Sequence, residues 1–301
     1  MNQSKLMWSA VWLLSAIAIT AQAQEGQGDV VYVPTPQIVV NEMLEMAHVG
    51  PGDYIIDLGS GDGRIVITAA KKYGAQGYGV DLDKYLLKVA NENAKKEGVA
   101  DRAQFVERNL FETNLGTATV ITSYLLPEMN IKLRPKILAL KPGTRVVGHD
   151  YHMGEWLPDD QKTIPVPEKQ VGNPGVSYIY LWVVPAKIAG AWQSRIKSAT
   201  GEAQYDFTFD QLFQEITGTL RVNQQTTKFN TKVKGEEVSF VVLPKMGERV
   251  VRHEFSGRIK GDVIDGTVKI GEGASQRVVP WNAKLTKRGQ VRKPADDSAG
   301  A

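Results

Sequence analysis

The stretch that decides the fold runs from Tyr54 to Ile65 and reads YIIDLGSGDGRI. An apolar run leads to Asp57, and three glycines follow at alternate positions, Gly59, Gly61 and Gly63. Glycines let a chain turn tightly and let a ligand lie against its backbone, and a helix that starts after them directs free N–H groups at that ligand. The stretch therefore predicts a buried strand, a ligand-binding turn and the start of a helix.

Segments with strand character alternate with helical segments on both sides of this turn. We expect strands at 54–58, 77–80, 103–106, 118–124 and 145–148, and helices from about Pro36 and over 64–72, 84–97 and 128–140, with a shorter segment between the third and fourth strands. Such alternation predicts βαβ units and an α/β fold, a Rossmann-like, mostly parallel sheet covered on both faces. A strand at 178–184 is expected to close the sheet through a hairpin.

The pattern changes near residue 188, where seven short strands recur with turn signals between them. Regular strand spacing without helices predicts a small all-β antiparallel barrel or sandwich. Two of its turns have Gly after Lys, at Gly235 and Gly261, and we expect Trp192 to be a core aromatic. The predicted domains are thus 24–187 and an accessory domain over 188–288, followed by a disordered polar tail over 289–301.

The first residues have the order of a secretory signal peptide. Lys5 precedes an apolar run over 6–20, and Ala21-Gln22-Ala23 supplies small residues for cleavage after Ala23. The run is short for a membrane span, which needs about 20 residues, so a retained anchor is the weaker alternative. We expect an exported, periplasmic protein without a stable membrane span after cleavage.

Composition excludes several other functions. The 301 residues carry a formal net charge of only +3 with both signs interspersed, so no basic stripe for nucleic acid is expected. The chain has no cysteine, which excludes disulfides, thiolate metal ligands and a cysteine nucleophile.

The turn at Asp57 is better suited to a cationic nucleoside than to a dinucleotide. The dinucleotide fingerprint G-x-G-x-x-G has its third glycine one place later, where this chain has Arg64, so a nicotinamide-dependent dehydrogenase is not favoured. Asp57 and Asp62 add carboxylates that a pyrophosphate would avoid and a cation would favour. Asp81 follows the next strand, where an acidic side chain accepts hydrogen bonds from both ribose hydroxyls. These residues predict S-adenosyl-L-methionine as the ligand, because it combines an adenosyl group with a positive centre and has no phosphate.

At these residues the chain resembles the class I S-adenosylmethionine-dependent methyltransferases over roughly 32–186. It is most similar to a branch with YVPT before the fold, DLGSGDGRIV in the turn and Tyr-Leu-Leu-Pro after the fourth strand. That branch includes bacterial exported proteins and, more distantly, the mitochondrial lysine methyltransferases that modify ATP synthase. The resemblance implies that S-adenosylmethionine is bound by Tyr32, Thr35, Asp57, Gly59, Ser60, Gly61, Asp62, Gly63, Asp81, Leu82, Asn109 and Leu110. The family often has an acidic residue where Asn109 stands, and Asn can still hydrogen-bond adenine.

The methyl acceptor is expected outside the carboxyl ends of the strands, where ligands of open α/β sheets bind. Tyr124 ends the fourth strand, and we hypothesise that it receives an amine by hydrogen bonding or cation–π contact. Packing beneath the helix near Glu128 is the alternative. His149 and His152 are interpreted first as ordinary strand-end polar residues rather than metal ligands; for a lysine acceptor, one of them would take its proton.

The leading hypothesis is a methyltransferase that N-methylates an amine, either a small molecule or a protein lysine. The alternative is an exported binding protein that kept the fold without the reaction, because S-adenosylmethionine is made in the cytoplasm.

Overall fold

The computed structural model describes residues 32–198 and 201–295. The predicted signal peptide, residues 1–23, lies outside these residues, as does the end of the predicted tail from 296 onward. Within the described part of the chain, none of the helices has both the length and the apolar character needed to cross a bilayer.

Helices and strands alternate through the first domain. In chain order they are α1 (Gln37–Met46), β1 (Tyr54–Leu58), α2 (Arg64–Tyr73), β2 (Gln76–Asp81), α3 (Lys84–Lys96), β3 (Ala103–Glu107), β4 (Val120–Ser123), α4 (Pro127–Ile137), β5 (Arg145–His149), β6 (Asp160–Val166) and β7 (Gly175–Val183). The seven strands form one sheet in the order β3-β2-β1-β4-β5-β7-β6. Strands β1 to β5 are parallel, whereas β7 runs antiparallel between β5 and β6. The predicted α/β class and closing hairpin are confirmed.

The predicted boundaries are most accurate around the glycine turn and least accurate between β3 and β4. Strand β1 has the predicted bounds, while β4 is shorter than expected and α4 ends at Ile137 rather than at Leu140. The expected short segment between β3 and β4 is a series of turns. Asn109 organises it, because its Oδ1 accepts from the backbone N–H of Phe111 and its carbonyl accepts from Thr113 Oγ1.

The third glycine of the turn brings α2 close to the sheet. Gly63 is the residue before α2 and has a φ of 82°, in the left-handed region that favours glycine. A Cβ at this position would lie 2.5 Å from the ring of Phe105 on β3 and 2.9 Å from the Cβ of Ala90 on α3. A side chain here would therefore push the helix off the strands whose ends form the turn.

The second domain is a closed antiparallel barrel, one of the two predicted architectures. Its strands are β8 (Gly190–Ser198), β9 (Gly201–Leu212), β10 (Glu215–Val222), β11 (Gln225–Lys234), β12 (Glu237–Val242), β15 (His253–Lys260), β16 (Val263–Ile270) and β17 (Arg277–Arg288), and a small hairpin of β13 (Lys245–Met246) and β14 (Arg249–Val250) lies outside it. Strand β11 was not predicted, because only Phe229 and Val233 of that strand are buried and its apolar pattern is weak. Both predicted Lys-Gly turns are hairpin turns, with Gly235 and Gly261 left-handed.

Aromatic rings fill the interior of the barrel. The rings of Phe207, Phe240, Phe255 and Trp281 lie with centroids 4.9 to 6.0 Å apart, within the range of favourable aromatic pairs. Trp192 is buried in the same core, as predicted, and its indole N–H donates to the carbonyl of Ile188 at 2.8 Å. Small barrels are typically filled by side chains in this way.

The turn between β9 and β10 fastens the barrel to the first domain. Phe213 is the first of two turn residues and has a left-handed φ of 53°, which is unfavourable for a bulky side chain. Its ring is buried against Trp156, with centroids 6.1 Å apart and planes at 18°, and the Arg134 guanidinium lies 5.3 Å from its centroid. Burial of the ring in the core of the other domain offsets the backbone cost.

Buried hydrogen bonds and the chain end reinforce this interface. The Gln211 side chain donates to the carbonyls of Ala186 and Phe213 and accepts from the N–H groups of Ile188 and Ala189. Residues 289–295 of the predicted disordered tail lie along both domains: Arg292 N–H donates to the Gln211 carbonyl at 2.8 Å, and the N–H of Ala295 donates to Glu155. In these residues, backbone donors of the tail find acceptors on the folded domains.

We expect Phe213→Ala to lower the free energy of unfolding by about 3–5 kcal/mol, the usual cost of removing a buried Phe ring. Urea denaturation followed by tryptophan fluorescence measures the loss. Phe213→Leu, which keeps most of the apolar volume, should lose clearly less. An equal loss in both variants would show that ring burial against Trp156 does not hold the domains together.

Candidate active site

A pocket opens at the carboxyl ends of β1, β2 and β4. It is lined by Tyr32, Val33, Pro34, Thr35, Asp57, Gly59, Ser60, Asp62, Arg64, Ile65, Val80, Asp81, Leu82, Asp83, Leu86, Arg108, Asn109, Leu110, Phe111, Tyr124, Leu125 and Met129. All of the predicted cofactor-binding residues are among these except Gly61 and Gly63, and the predicted acceptor residue Tyr124 is included. Every lining residue comes from the first domain.

The two glycines that do not line the pocket shape it from behind. The Gly61 N–H donates to Asp81 Oδ2 at 2.9 Å, which ties the turn to the end of β2. A Cβ on Gly61 would lie 2.3 Å from the ring of Tyr32, so the segment before α1 rests directly on this glycine. Gly63 acts through the packing described above. Gly59 thus lines the pocket, whereas Gly61 and Gly63 lie behind it and shape the turn through their backbone.

Asp57 is the buried negative group of the pocket. Thr122 Oγ1 donates to its Oδ1 at 2.6 Å. Burial raises the pKa of Asp57 to about 7 from an ordinary 3.8, Thr122 opposes the rise, and the nearby Asp81 and Asp62 add to it. A cationic ligand placed here would favour the ionised carboxylate.

Asp62 already has a cationic partner. Arg64 Nη2 lies 2.6 Å from Asp62 Oδ2, and Arg64 Nε donates to Oδ1 at 2.9 Å. Burial pushes the pKa of Asp62 upward, but the hydrogen bonds and charge of Arg64 outweigh it and hold this pKa below its ordinary value. Arg64 Nη1 also donates to the Thr35 carbonyl at 2.8 Å, so the same side chain anchors the YVPT segment. Arg64 was not predicted as a site residue, because its position after the third glycine indicates only that the turn does not match the dinucleotide fingerprint.

Polar atoms of the pocket fit an adenosyl ligand. Asp81 accepts from the N–H groups of Gly61 and Asp83 and keeps lone pairs for further donors such as ribose hydroxyls. Ser60 Oγ and Asp83 Oδ2 are buried and have no hydrogen-bond partner among the described residues. Buried polar atoms are normally satisfied, so both require a polar ligand or water. Leu82 and Leu110 add the apolar surface that a base needs.

The wall beside Tyr124 is aromatic and carries a buried carboxylate. The half-buried Tyr124 ring lies on His149, with centroids 4.0 Å apart, and near Tyr151, with centroids 6.0 Å apart. Its hydroxyl donates to Asp150 Oδ2 at 3.2 Å. Burial and the Asp150 charge raise the pKa of Tyr124, which keeps the phenol protonated. Met129 of α4 lines the same pocket as Tyr124, so packing beside this helix stays the alternative to contact with an acceptor.

The two histidines flanking Asp150 have different environments. His149 is buried, its Nδ1 lies 3.2 Å from Thr35 Oγ1, and its Nε2 lies 2.9 Å from Ser177 Oγ. Burial lowers the pKa of His149 to about 4, so the ring is neutral at neutral pH. His152 is exposed, and its Nδ1 accepts from the Gly154 N–H. Both match the interpretation as polar residues of the strand end; among the described residues no group of His, Asp and Glu is arranged to hold a metal.

Lys169 is the buried residue of this region that the sequence did not reveal. It lies in the loop between β6 and β7, and its ammonium donates to Asp150 Oδ2, to the Val176 carbonyl at 2.8 Å and to Ser177 Oγ at 3.1 Å. Only 7% of Lys169 is exposed. A lysine in a Pro- and Gly-rich loop is normally solvated, so no local pattern marks it.

The sheet order, the glycine turn, Asp81 at the end of β2 and the polar pocket together define an S-adenosylmethionine-dependent methyltransferase. A family model described as the ANTKMT methyltransferase domain matches residues 57–160. The protein-lysine N-methyltransferase of Saccharolobus islandicus is 43% identical over 155 residues, which cover 51% of this chain and 92% of that protein. The chain therefore belongs to the same family as this protein-lysine N-methyltransferase.

Other relatives match over shorter parts of their length. A human lysine N-methyltransferase of ATP synthase is 30% identical over 129 residues, which cover 42% of this chain, and the chain spans little more than half of that relative, 54%. Among solved structures, an RNA methyltransferase from Salinibacter ruber in complex with S-adenosyl-L-homocysteine is 48% identical, with 52% of this chain and 96% of that chain covered and a TM-score of 0.47.

Asp57 makes cofactor affinity depend on pH. A bound cation lowers the Asp57 pKa, so affinity for S-adenosylmethionine is full above the free-protein value of about 7 and falls as pH drops below it. We expect a loss of about tenfold between pH 8 and pH 6, measured by calorimetric titration. Asp57→Asn should bind more weakly at pH 8 and lose this pH dependence. A variant that kept the wild-type pH profile would assign the dependence to another group.

Proposed function

We propose that this methyltransferase N-methylates a lysine side chain of a protein in the cell envelope. Support for lysine comes from the name and 43% identity of the archaeal relative and from the chemistry of the wall beside Tyr124. Lysine as acceptor and the envelope as location are what is proposed, and the methyltransferase fold and cofactor are the basis for both.

The observation that carries the proposal is the placement of Tyr124. This residue lines the cofactor pocket, and its hydroxyl donates to Asp150, which leaves the oxygen lone pairs for an N–H donor. The ring of Tyr124, which lines the pocket and lies near Tyr151, adds aromatic surface beside the hydroxyl. An amine suits this surface, because its N–H hydrogens donate hydrogen bonds and carry partial positive charge.

The reaction is an in-line displacement. S-adenosylmethionine supplies a methyl group on a sulfonium; the amine lone pair forms the new C–N bond, and the electron pair of the broken S–C bond stays on sulfur. The protein's contribution is alignment and exclusion of water. Tyr124 orients the amine, and the aromatic wall shields it.

No histidine of the wall is suited to deprotonate the acceptor. The His149 pKa of about 4 makes it a weak base, and its two nitrogens already contact Thr35 and Ser177. His152 is exposed and does not line the pocket. These environments do not favour either histidine as the proton acceptor, and we propose instead that the lysine ammonium loses its proton to solvent as it enters.

We expect Tyr124→Phe to lower methyl transfer roughly 10- to 100-fold, since it removes one oriented hydrogen bond worth about 1.5–3 kcal/mol. Affinity for S-adenosylhomocysteine should stay within about twofold of wild type. Tyr73→Phe, at the far end of α2, is the matched control and should change neither quantity. An unchanged rate in Tyr124→Phe would remove the hydroxyl from the mechanism.

Labelled transfer into a cell-envelope extract tests the function as a whole. Wild-type protein with isotopically labelled S-adenosylmethionine should mark lysine side chains identified by peptide mass spectrometry, and Asp81→Ala should mark none. If S-adenosylhomocysteine did not bind the wild-type protein, the enzyme itself would be excluded. If it bound but no lysine in any extract became labelled, a non-catalytic binding protein would replace the proposal.

The envelope location rests on residues 1–23 and has its own test. A reporter that is active only outside the cytoplasm, fused after Ala23, should become active when the native leader is present. Replacing apolar residues of the 6–20 run with charged ones should abolish that activity, because the apolar segment is what export requires. Activity without an intact leader would contradict export through this segment.

A further inference from the structure

A continuous series of hydrogen bonds links the cofactor pocket to the loop between β6 and β7. It passes from Thr35 through His149, Ser177 and Lys169 to Asp150, and from Asp150 to the Tyr124 hydroxyl. Its first and last members line the pocket, and the members between them are buried. The series is thus built into the wall on which the acceptor is proposed to bind.

Asp150 is fixed rigidly at the centre of this series. Its φ is 63°, a left-handed value, and its backbone N–H donates to the Tyr178 carbonyl at 2.7 Å while its Oδ1 accepts from the Tyr178 N–H at 3.0 Å. These two bonds hold the carboxylate in one orientation. Its second oxygen, Oδ2, receives both Lys169 and Tyr124.

Lys169 is fixed just as firmly. All three ammonium hydrogens have acceptors, and its backbone carbonyl accepts from the Gly175 N–H at 3.0 Å, which closes the loop. Glycine at 172 lets the loop lie against the wall, because a Cβ there would be 3.0 Å from the Tyr124 hydroxyl and 3.1 Å from Asp150 Oδ2. The ammonium therefore cannot leave Asp150 without opening the loop.

The charge of Lys169 decides which way the Tyr124 hydroxyl points. A carboxylate paired with an ammonium has no proton to donate, so Tyr124 must donate to Asp150, and its oxygen keeps lone pairs for another donor. Without the ammonium, the buried Asp150 would keep only the donors of Tyr178 and Tyr124 and the neighbouring His149 ring against the cost of a buried charge, which favours uptake of a proton. It would then donate to the Tyr124 oxygen, and the hydroxyl hydrogen would turn toward the acceptor.

We propose that Lys169 is a positioning residue for methyl transfer, which by its ion pair with Asp150 makes the Tyr124 hydroxyl a hydrogen-bond acceptor for the incoming amine. This inference rests on the proposed function and adds to it the substrate polarity: the site selects an N–H donor. A group that offers only lone pairs at that point, such as a carbonyl or an alkoxide, would be disfavoured.

Infrared spectroscopy tests the charge state without catalysis. The difference spectrum of Lys169→Met minus wild type at pH 8 should contain the carbonyl stretch of a protonated carboxylic acid, and the band should vanish when Asp150→Asn is added. Lys169→Gln, which keeps a donor but no charge, should give the same band if it folds, as circular dichroism reports. No band in either folded variant would overturn the proposal.

A double-mutant cycle separates positioning from a merely structural role. Tyr124→Phe and Lys169→Met should each lower label transfer into the envelope extract roughly 10- to 100-fold, and the double variant should be no slower than the slower single by more than about twofold, because both remove one interaction. Multiplying losses would mean that Lys169 only supports the loop. Lys162→Met, an exposed lysine of β6 paired with Glu42, is the matched control and should leave transfer unchanged.

The proposed function and the role of Lys169 are overturned by different results. If the wild-type protein labels no lysine, the proposed function is wrong, and so is the positioning role of Lys169. The infrared band would still show whether Asp150 is protonated in the Lys169 variants. If the wild type labels lysine and the losses multiply, the function stands and the inference about Lys169 is wrong.

Discussion

Buried negative charge at the carboxyl ends of the parallel strands is the constraint around which this site is built. A carboxylate removed from water needs a cation, hydrogen-bond donors or a proton. Asp62 is neutralised by Arg64, and Asp150 by Lys169. Asp57 receives a hydrogen bond from Thr122, but among the described residues no cationic side chain pairs with it, and its pKa is raised to about 7. The negative charge is thus compensated by a cationic side chain at Asp62 and Asp150, and by a hydrogen bond and a raised pKa at Asp57.

This division separates the two ligands by charge. On the cofactor side of the pocket, Asp57 lacks a counter-ion within the described part of the chain. A sulfonium nucleoside is therefore attracted electrostatically to this side, whereas a neutral or anionic nucleotide is not. The wall on which the acceptor is proposed to bind has its carboxylate already compensated by Lys169 and includes Tyr124, a neutral phenol. An ammonium therefore finds no free carboxylate in this wall to hold its proton, whereas a neutral amine, the form that attacks, still finds a hydrogen-bond acceptor.

The sequence predicted those features of the fold and site that depend on neighbouring residues, but not those that depend on contacts between distant parts of the chain. The glycine spacing predicted β1 with its observed bounds, because strand, turn and helix follow one another within twelve residues. Asp81 followed from the same local rule. Strand β11 was missed because its outward face is polar, and Lys169 because its partner Asp150 is brought to it by the antiparallel return of β7. The left-handed backbone conformation of Phe213 could not be predicted either, since contact with the other domain stabilises it.

The barrel acts on the site through the scaffold rather than by contact. Its interior is filled by aromatic rings, and the described residues that line the cofactor pocket all belong to the first domain. Its turn at Phe213 instead packs against Trp156 and Arg134. Arg134 belongs to α4, whose first turns include Met129 in the pocket wall, and its Nη1 donates to the Met153 carbonyl at 2.8 Å, in the segment that follows Asp150. These contacts connect the barrel, through Arg134, to the segment after Asp150 and to the helix beside Tyr124, where the acceptor is proposed to bind and where close alignment matters most.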